Sequence, residues 1–132
     1  MEKQLFASYL TEGELKHYAE LTQALFAVSG VADEKQKSRI REIFSSENDL
    51  VTITMGSSIH KYEALLEDEN YREFVFADIA KRWGDMLFAG ATSFWETFSG
   101  DDEFTFGGAT SLCHGWAALP IYLYYKYGRD IV

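Results

Sequence analysis

Residues 90–96 of this 132-residue chain read Gly-Ala-Thr-Ser-Phe-Trp-Glu, and residues 111–116 read Ser-Leu-Cys-His-Gly-Trp. The two stretches combine a carboxylate, Glu96, and an imidazole, His114, with the aromatic side chains of Phe94, Trp95 and Trp116. Aromatic rings pack against the apolar faces of sugars, and carboxylates and imidazoles hydrogen-bond hydroxyl groups. This composition fits a carbohydrate pocket. It also fits an ordinary packed helix, so the residue types alone leave both interpretations open.

Outward from these stretches, the apolar residues are spaced as in helices almost throughout. Thr11 and Glu14 have the spacing of a capping box, which predicts a first helix that ends at Gly30. Its expected buried stripe is Leu15, Tyr18, Ala19, Thr22, Leu25 and Phe26. Asp33 and Gln36 repeat the capping pattern and predict a second helix, with a buried stripe of Ile40, Ile43 and Phe44. Residues 48–58 have no helical period and predict an extended connection.

Three further helices follow in the pattern. One is predicted from Ser58 to Glu67, and the next is capped by Asn70 and Glu73, with an expected buried stripe of Phe74, Ala77, Ala80 and Trp83. Residues 90–108 predict a loop that has a turn near residues 94–97 and a solvated acidic stretch at residues 101–103. The last helix is predicted over residues 112–127, with a kink or late start at Pro120 and a packed face of Tyr122, Tyr124, Tyr125 and Tyr127. The sequence therefore predicts an all-α chain of helix hairpins, forming one domain over residues 1–132.

Composition and spacing exclude several classes of function. Twelve Lys and Arg against 21 Asp and Glu give a net charge of −9, which disfavours binding to a nucleic-acid backbone. The histidines His17, His60 and His114 lie far apart and Cys113 is alone, so neither a metal site nor a cofactor is expected. We expect Cys113 to be a small buried residue. No apolar run predicts a membrane span and no secretory signal is evident, so a cytoplasmic protein is expected.

Taken together, residues 90–96 and 111–116 resemble the two motifs near the end of the catalytic domain of α-L-rhamnosidase-like glycoside hydrolases, family 78. Their order and short separation also match. Residues 21–25, 54–56 and 83–87 resemble other segments of the same family, so the resemblance covers most of the chain from about Thr11 on. It implies a toroid of helix hairpins, the (α/α)₆ barrel, of which this chain would form about half. The implied reaction is hydrolysis of a terminal sugar from a glycoside, with inversion.

The resemblance places the general base at Glu96 and a sugar-hydroxyl contact at His114, with Trp95 and Trp116 as pocket walls. Inversion also requires a general acid, and no segment of this chain resembles the family region that carries it. We therefore expect a chain that is inactive alone, with exposed apolar faces that a second copy or a complementing polypeptide would cover. Two alternatives stay open. One is a non-catalytic helical sugar-binding or protein-interaction module, and the other is a toroid enzyme acting on uronic-acid glycosides.

Overall fold

A computed structural model of the chain describes residues 5–98 and 111–128, together with the backbone of residues 104–105 and 108–109. The fold is all-α, as the apolar spacing predicts. Its helices are α1 (Glu20–Val28), α2 (Glu34–Phe44), α3 (Ser58–Leu66), α4 (Arg72–Phe88) and α5 (Leu119–Tyr127). Two antiparallel hairpins accompany them, formed by β1 (Tyr9–Thr11) with β2 (Glu14–Lys16) and by β3 (Phe104–Thr105) with β4 (Gly108–Ala109). Within the described ranges, no helix is long and apolar enough to cross a membrane.

The chain forms two compact units. The first contains the described residues up to Ile53 together with Ser57–Arg72, and the second contains Thr54–Gly56 and the described residues from Glu73 onward. The short segment Thr54–Gly56 thus belongs to the second unit, although the residues on both sides of it belong to the first. The side chain of Met55 is fully buried, which anchors this segment in place.

The core of the first unit is built from α1, α2 and α3. Its buried apolar side chains include Ala24, Ala27, Ile40, Phe44, Tyr62 and Leu65. A buried ion pair joins α1 to α3: Lys61 Nζ donates a hydrogen bond to Glu20 Oε1 at 2.5 Å. Glu20 Oε2 also accepts from the Ile53 amide at 2.9 Å, and Val51 pairs with Ala19 in a parallel bridge. These contacts hold residues 51–53 extended against the start of α1, which confirms that part of the predicted connection, while residues 55–57 form a turn.

Helix α2 begins and packs as its sequence predicts. Asp33 accepts from the Gln36 amide at 2.8 Å and Gln36 Oε1 accepts from the Asp33 amide at 2.9 Å, so the predicted capping box is present. Its stripe of Ile40, Ile43 and Phe44 is buried. The Arg41 guanidinium donates to the carbonyl of Ala64 and to Glu67. The same carboxylate hydrogen-bonds Lys37 and raises its pKa, so this stabilising contribution is lost as the pH rises through the raised value.

The predicted capping box at Thr11 and Glu14 is wrong. Those residues face each other across the β1–β2 hairpin, with Glu12 and Gly13 in its turn at φ values of 53° and 80°. Two consecutive left-handed residues form the tight turn that suits a two-residue hairpin, and they cannot continue a helix. Helix α1 therefore starts at Glu20, and its buried face is formed by Glu20, Gln23, Ala24 and Ala27 in place of the predicted stripe. Gly30, at φ +77°, ends this helical segment as predicted.

Helices α3, α4 and α5 exist where predicted, but two details of α4 and one of α5 differ. Asp68 caps the turn that precedes α4, in place of Asn70. The buried residues of α4 are Val75, Phe76, Ile79, Trp83 and Met86, so only Trp83 of the predicted stripe is correct.

Helix α5 starts late, with Pro120 in its first turn, and buries Leu119, Pro120 and Leu123. Tyr122, Tyr124 and Tyr125 are exposed, so the predicted packed tyrosine face is wrong. The acidic residues 101–103 lie outside the described residues.

Candidate functional site

The candidate site lies in the second unit, on two loops that are anchored to α4. The first loop contains residues 90–98, and the second contains residues 111–116. The Trp83 indole N–H donates to the carbonyl of Ala117 at 2.9 Å, and both residues are buried. The Phe98 ring packs edge-on against Trp83 with 5.8 Å between ring centroids. Arg82, which is paired with Asp78, lies with its guanidinium 4.6 Å from the centre of the same Phe98 ring. Helix α4 therefore holds the end of the first loop and the turn that follows the second.

The two loops pair with each other through their backbones. The His114 amide donates to the carbonyl of Phe94 at 2.7 Å, and the Glu96 amide donates to the carbonyl of Ser111 at 2.8 Å. The pairing is antiparallel, since the residue number rises along one loop as it falls along the other. Glu96 and His114 are 18 positions apart in sequence (114 − 96), and the structure brings the segments that carry them side by side.

The Glu96 carboxylate is fixed by the same partner as its backbone. Its Oε2 atom accepts from the Ser111 amide at 2.9 Å. The Ser111 hydroxyl in turn donates to the carbonyl of Cys113 and accepts from the Cys113 amide, which stiffens the second loop. Among the described residues, Glu96 Oε1 has no hydrogen-bond partner. The side chain is half-buried, so one carboxylate oxygen is held in place and the other can accept a proton or a hydroxyl group.

His114 lies between an aromatic wall and a glycine. Its ring stands edge-on to Trp116, with 5.7 Å between centroids and an interplanar angle of 71°. Trp116 is 78% exposed, so it is not a core residue, whereas Trp95 and His114 are half-buried. A Cβ atom at Gly56 would lie 3.3 Å from His114 Nε2, which shows how closely the backbone of Gly56 approaches the imidazole.

Two neighbours of the site, Ser111 and Gly56, were not among the residues predicted for it. Both stand in segments that carry the family resemblance, but neither has a side chain that suggested a chemical role. One prediction near the site is wrong, because Cys113 is exposed and not buried. The reason is its position on a surface loop. The Ser111 hydroxyl hydrogen-bonds both the amide and the carbonyl of Cys113 there.

The second unit also has an apolar groove of about 570 Å³. It is lined by Trp83, Met86, Leu87, Ala91, Thr92, Ser93, Phe94, Pro120, Ile121 and Tyr124. Residues 91–94 of the first loop line the groove, while the four predicted site residues are not part of its lining. Across the ranges that the structure describes, no group of three or more His, Cys, Asp and Glu side chains could hold a metal ion.

Known proteins resemble this chain at the level of structure. No protein-family model and no curated protein matches the sequence. Among solved structures, the chain is similar to one described as the crystal structure of a GH78 family rhamnosidase of Bacillus sp. GL1, with a TM-score of 0.79 and 26% sequence identity. The match covers 95% of this chain and 14% of that protein, so the chain spans a small part of the length of its neighbour. The chain has the fold of a segment of a family 78 glycoside hydrolase.

Proposed function

We propose that this chain carries the general-base side of the sugar site of an α-L-rhamnosidase-like inverting glycoside hydrolase. In this proposal residues 1–132 form a single helical domain, equivalent to the C-terminal part of the family's catalytic domain. The observation that carries the proposal is the geometry of Glu96. Its carboxylate is held by the Ser111 amide through Oε2, while Oε1 has no partner within the described residues. A general base needs a fixed orientation and one available oxygen, and Glu96 meets both requirements among the residues that the structure describes.

Each remaining site residue has a role that its surroundings support. Glu96 would accept a proton from the water that attacks the anomeric carbon, on the face opposite the leaving group. His114, whose backbone is tied to the same loop as Glu96, would hydrogen-bond a sugar hydroxyl. Trp116 is largely exposed and Trp95 is half-buried, so both can offer a ring face to the sugar.

Hydrolysis by this route requires a second carboxyl group. A base alone cannot help a poor alkoxide to leave, because the leaving oxygen must receive a proton. The family resemblance assigns the general acid to none of the residues of this chain. We therefore expect the isolated chain to be inactive. Its partners in this proposal are the terminal sugar of a glycoside and either a second copy that covers the exposed apolar faces or a complementing polypeptide that also supplies the acid.

Ligand titration and activity assays on the isolated chain test the proposal. Rhamnose, followed by NMR, should bind weakly to the wild type and more weakly to Glu96→Gln and His114→Gln. Glu73→Gln is the matched control, since it removes an exposed acid of α4 in the same unit. Aryl and natural rhamnosides should not be turned over. Robust turnover of a natural rhamnoside that Glu96→Gln abolishes would show that the chain supplies its own acid, and would contradict the incomplete site.

The second candidate function is a non-catalytic sugar-binding or interaction module. It is favoured by the 78% exposure of Trp116, because an exposed indole serves as a binding platform without any acid–base chemistry. The same titration separates the two candidates. A binding module should lose its affinity in Trp116→Ala and keep it in Glu96→Gln, whereas the proposed site should lose affinity in both. No rhamnose binding by the wild type at any accessible concentration would reject the proposed site.

A further inference from the structure

Gly56 stands at the candidate site although it is far from the site's loops in sequence. It belongs to the segment Thr54–Gly56, which is part of the second unit and is anchored there by the fully buried Met55. The atoms nearest to the position that a Cβ would take there belong to His114 and Trp116. A Cβ built on Gly56 would lie 3.2 Å from Trp116 Cβ, 3.3 Å from His114 Nε2 and 3.6 Å from His114 Cδ2.

These distances leave too little room for a side chain at position 56. Carbon contacts of 3.4–4 Å are ordinary, and those of 3.0–3.4 Å force a neighbour to move. The backbone gives no separate reason for glycine, because the described glycines with positive φ are Gly13, Gly30 and Gly90 and do not include Gly56. Any residue could therefore adopt this backbone conformation, but a side chain would meet the imidazole.

We infer that Gly56 is a positioning residue for His114: the absence of a side chain there sets where the imidazole, and Nε2 in particular, can lie. The inference rests on the proposed function in one respect, namely that His114 binds a sugar hydroxyl. Trp116 limits movement of the ring on another side, since the two rings are in edge-on contact. A methyl group at position 56 would therefore turn the ring or shift its loop, and Nε2 would no longer point where a hydroxyl could meet it.

Gly56→Ala tests the inference, and Gly115→Ala is its control. Gly115 lies between His114 and Trp116, has no positive φ, and a Cβ there would meet no atom within 4 Å. The first readout is the ring ¹H–¹⁵N spectrum of the histidines, with the His114 signals assigned by their loss in His114→Gln. Gly56→Ala should move the His114 ring signals and leave those of His17 and His60 in place. Gly115→Ala should move them far less.

The second readout is the affinity for rhamnose. Gly56→Ala should weaken binding about tenfold, the loss expected when one hydrogen bond to the ligand is displaced, and Gly115→Ala should change it by less than about twofold. Unmoved His114 signals in Gly56→Ala would overturn the inference. So would moved signals together with wild-type affinity. If the wild type binds no rhamnose, the proposed function fails, while the ring spectra still decide whether Gly56 sets the position of the imidazole.

A folding defect in Gly56→Ala is separated by a second set of variants. If the methyl group clashes with the imidazole, His114→Ala should restore much of the stability that Gly56→Ala loses, because neighbours in contact are coupled in a double-mutant cycle. If Trp116→Gly restores the stability and His114→Ala does not, the methyl group clashes with Trp116 and not with His114, and the inference is overturned. Restoration by neither variant would overturn it as well.

Discussion

Lys61 and Glu20 form the buried ion pair that ties α1 to α3 in the first unit, with side chains that are 10% and 6% exposed. Removal of one partner of such a pair leaves the other charge buried and uncompensated. We therefore expect Lys61→Met to lower the free energy of unfolding of this unit by about 3–5 kcal/mol, since the Ile53 amide would remain as the Glu20 partner but carries no charge. Urea denaturation followed by circular dichroism measures the loss.

Lys81→Met is the matched control for this substitution. Lys81 also pairs with an acid, Asp85, at 2.8 Å, but both side chains are largely exposed. An exposed pair of this kind contributes about 0–1 kcal/mol, so the control should hardly move the denaturation midpoint. Equal losses in the two variants would show that Lys61 and Glu20 are solvated, contrary to the packing described above.

At the same scale, the site residues divide into those that the sequence could predict and those that it could not. Glu96, His114, Trp95 and Trp116 carry reactive or aromatic groups, and the resemblance was sufficient to name them. Their roles stay predictions. Gly56 has no functional group, and its relevance comes from a long-range approach that spacing along the chain does not encode. Cys113 was misplaced for a related reason, because residue type predicts average burial and not the exposure of one loop position.

At the scale of elements, the β1–β2 hairpin shows why one local pattern misled. Thr11 and Glu14 have the spacing of a capping box, and the same two residues can also flank a two-residue turn. The intervening Glu12-Gly13 decides between them, since glycine tolerates the left-handed backbone that such a turn needs. A true capping box at Asp33 and Gln36 has no glycine between its members, and there the prediction is confirmed.

Glycine substitutions in two elements should have effects of opposite sign. Gly13→Ala places a side chain at φ +80° in the hairpin turn and should destabilise the hairpin by about 1–2 kcal/mol. Gly84→Ala lies inside α4, where a Cβ would meet no atom within 4 Å, and should stabilise the protein by about 0.5–1 kcal/mol. Amide hydrogen exchange at the hairpin and thermal melting of the protein measure the two effects. A stabilising Gly13→Ala would be inconsistent with the turn described here.

Helix α4 shows how a correct helix can be given the wrong face. Its first two turns contain three successive bulky apolar residues, Phe74, Val75 and Phe76, so apolar side chains point to more than one side. The sequence alone can therefore predict a buried face that contains Phe74 or one that contains Val75 and Phe76. Tertiary packing buries Val75 and Phe76. The existence of the helix follows from local spacing, but its orientation depends on what it packs against.

At the scale of the whole molecule, the second unit exposes several large apolar side chains: Leu87, Phe88, Trp116, Ile121, Tyr122 and Tyr125. Phe88 is 93% exposed. Exposed large apolar side chains favour association, and burial of each one is worth about 1.5–3 kcal/mol. We therefore expect the chain to self-associate with rising concentration. Added salt should promote association, because the net charge of −9 keeps copies apart.

Ile121→Glu should weaken this association about tenfold or more, since it replaces one of these exposed apolar side chains with a charge. Val31→Glu is the control, because Val31 is equally exposed but lies in the first unit. Sedimentation equilibrium measures both association constants. A wild-type chain that stays monomeric at high concentration, or a control that dissociates as readily as Ile121→Glu, would contradict self-association through this surface.

The hydrogen bond from Trp83 to Ala117 has a consequence for spectroscopy. All three tryptophans, Trp83, Trp95 and Trp116, lie in the second unit, and the first unit has none. Trp83 is buried, so its emission should be blue-shifted and shielded from acrylamide, whereas the exposed Trp116 should be quenched readily. Tryptophan fluorescence, excited selectively at wavelengths where tyrosine does not absorb, therefore follows the unfolding of the second unit alone, while circular dichroism follows the helices of both. Tryptophan emission thus reports on one unit without an added probe. A difference between the midpoints of the two melting curves would show that the two units do not unfold in a single transition.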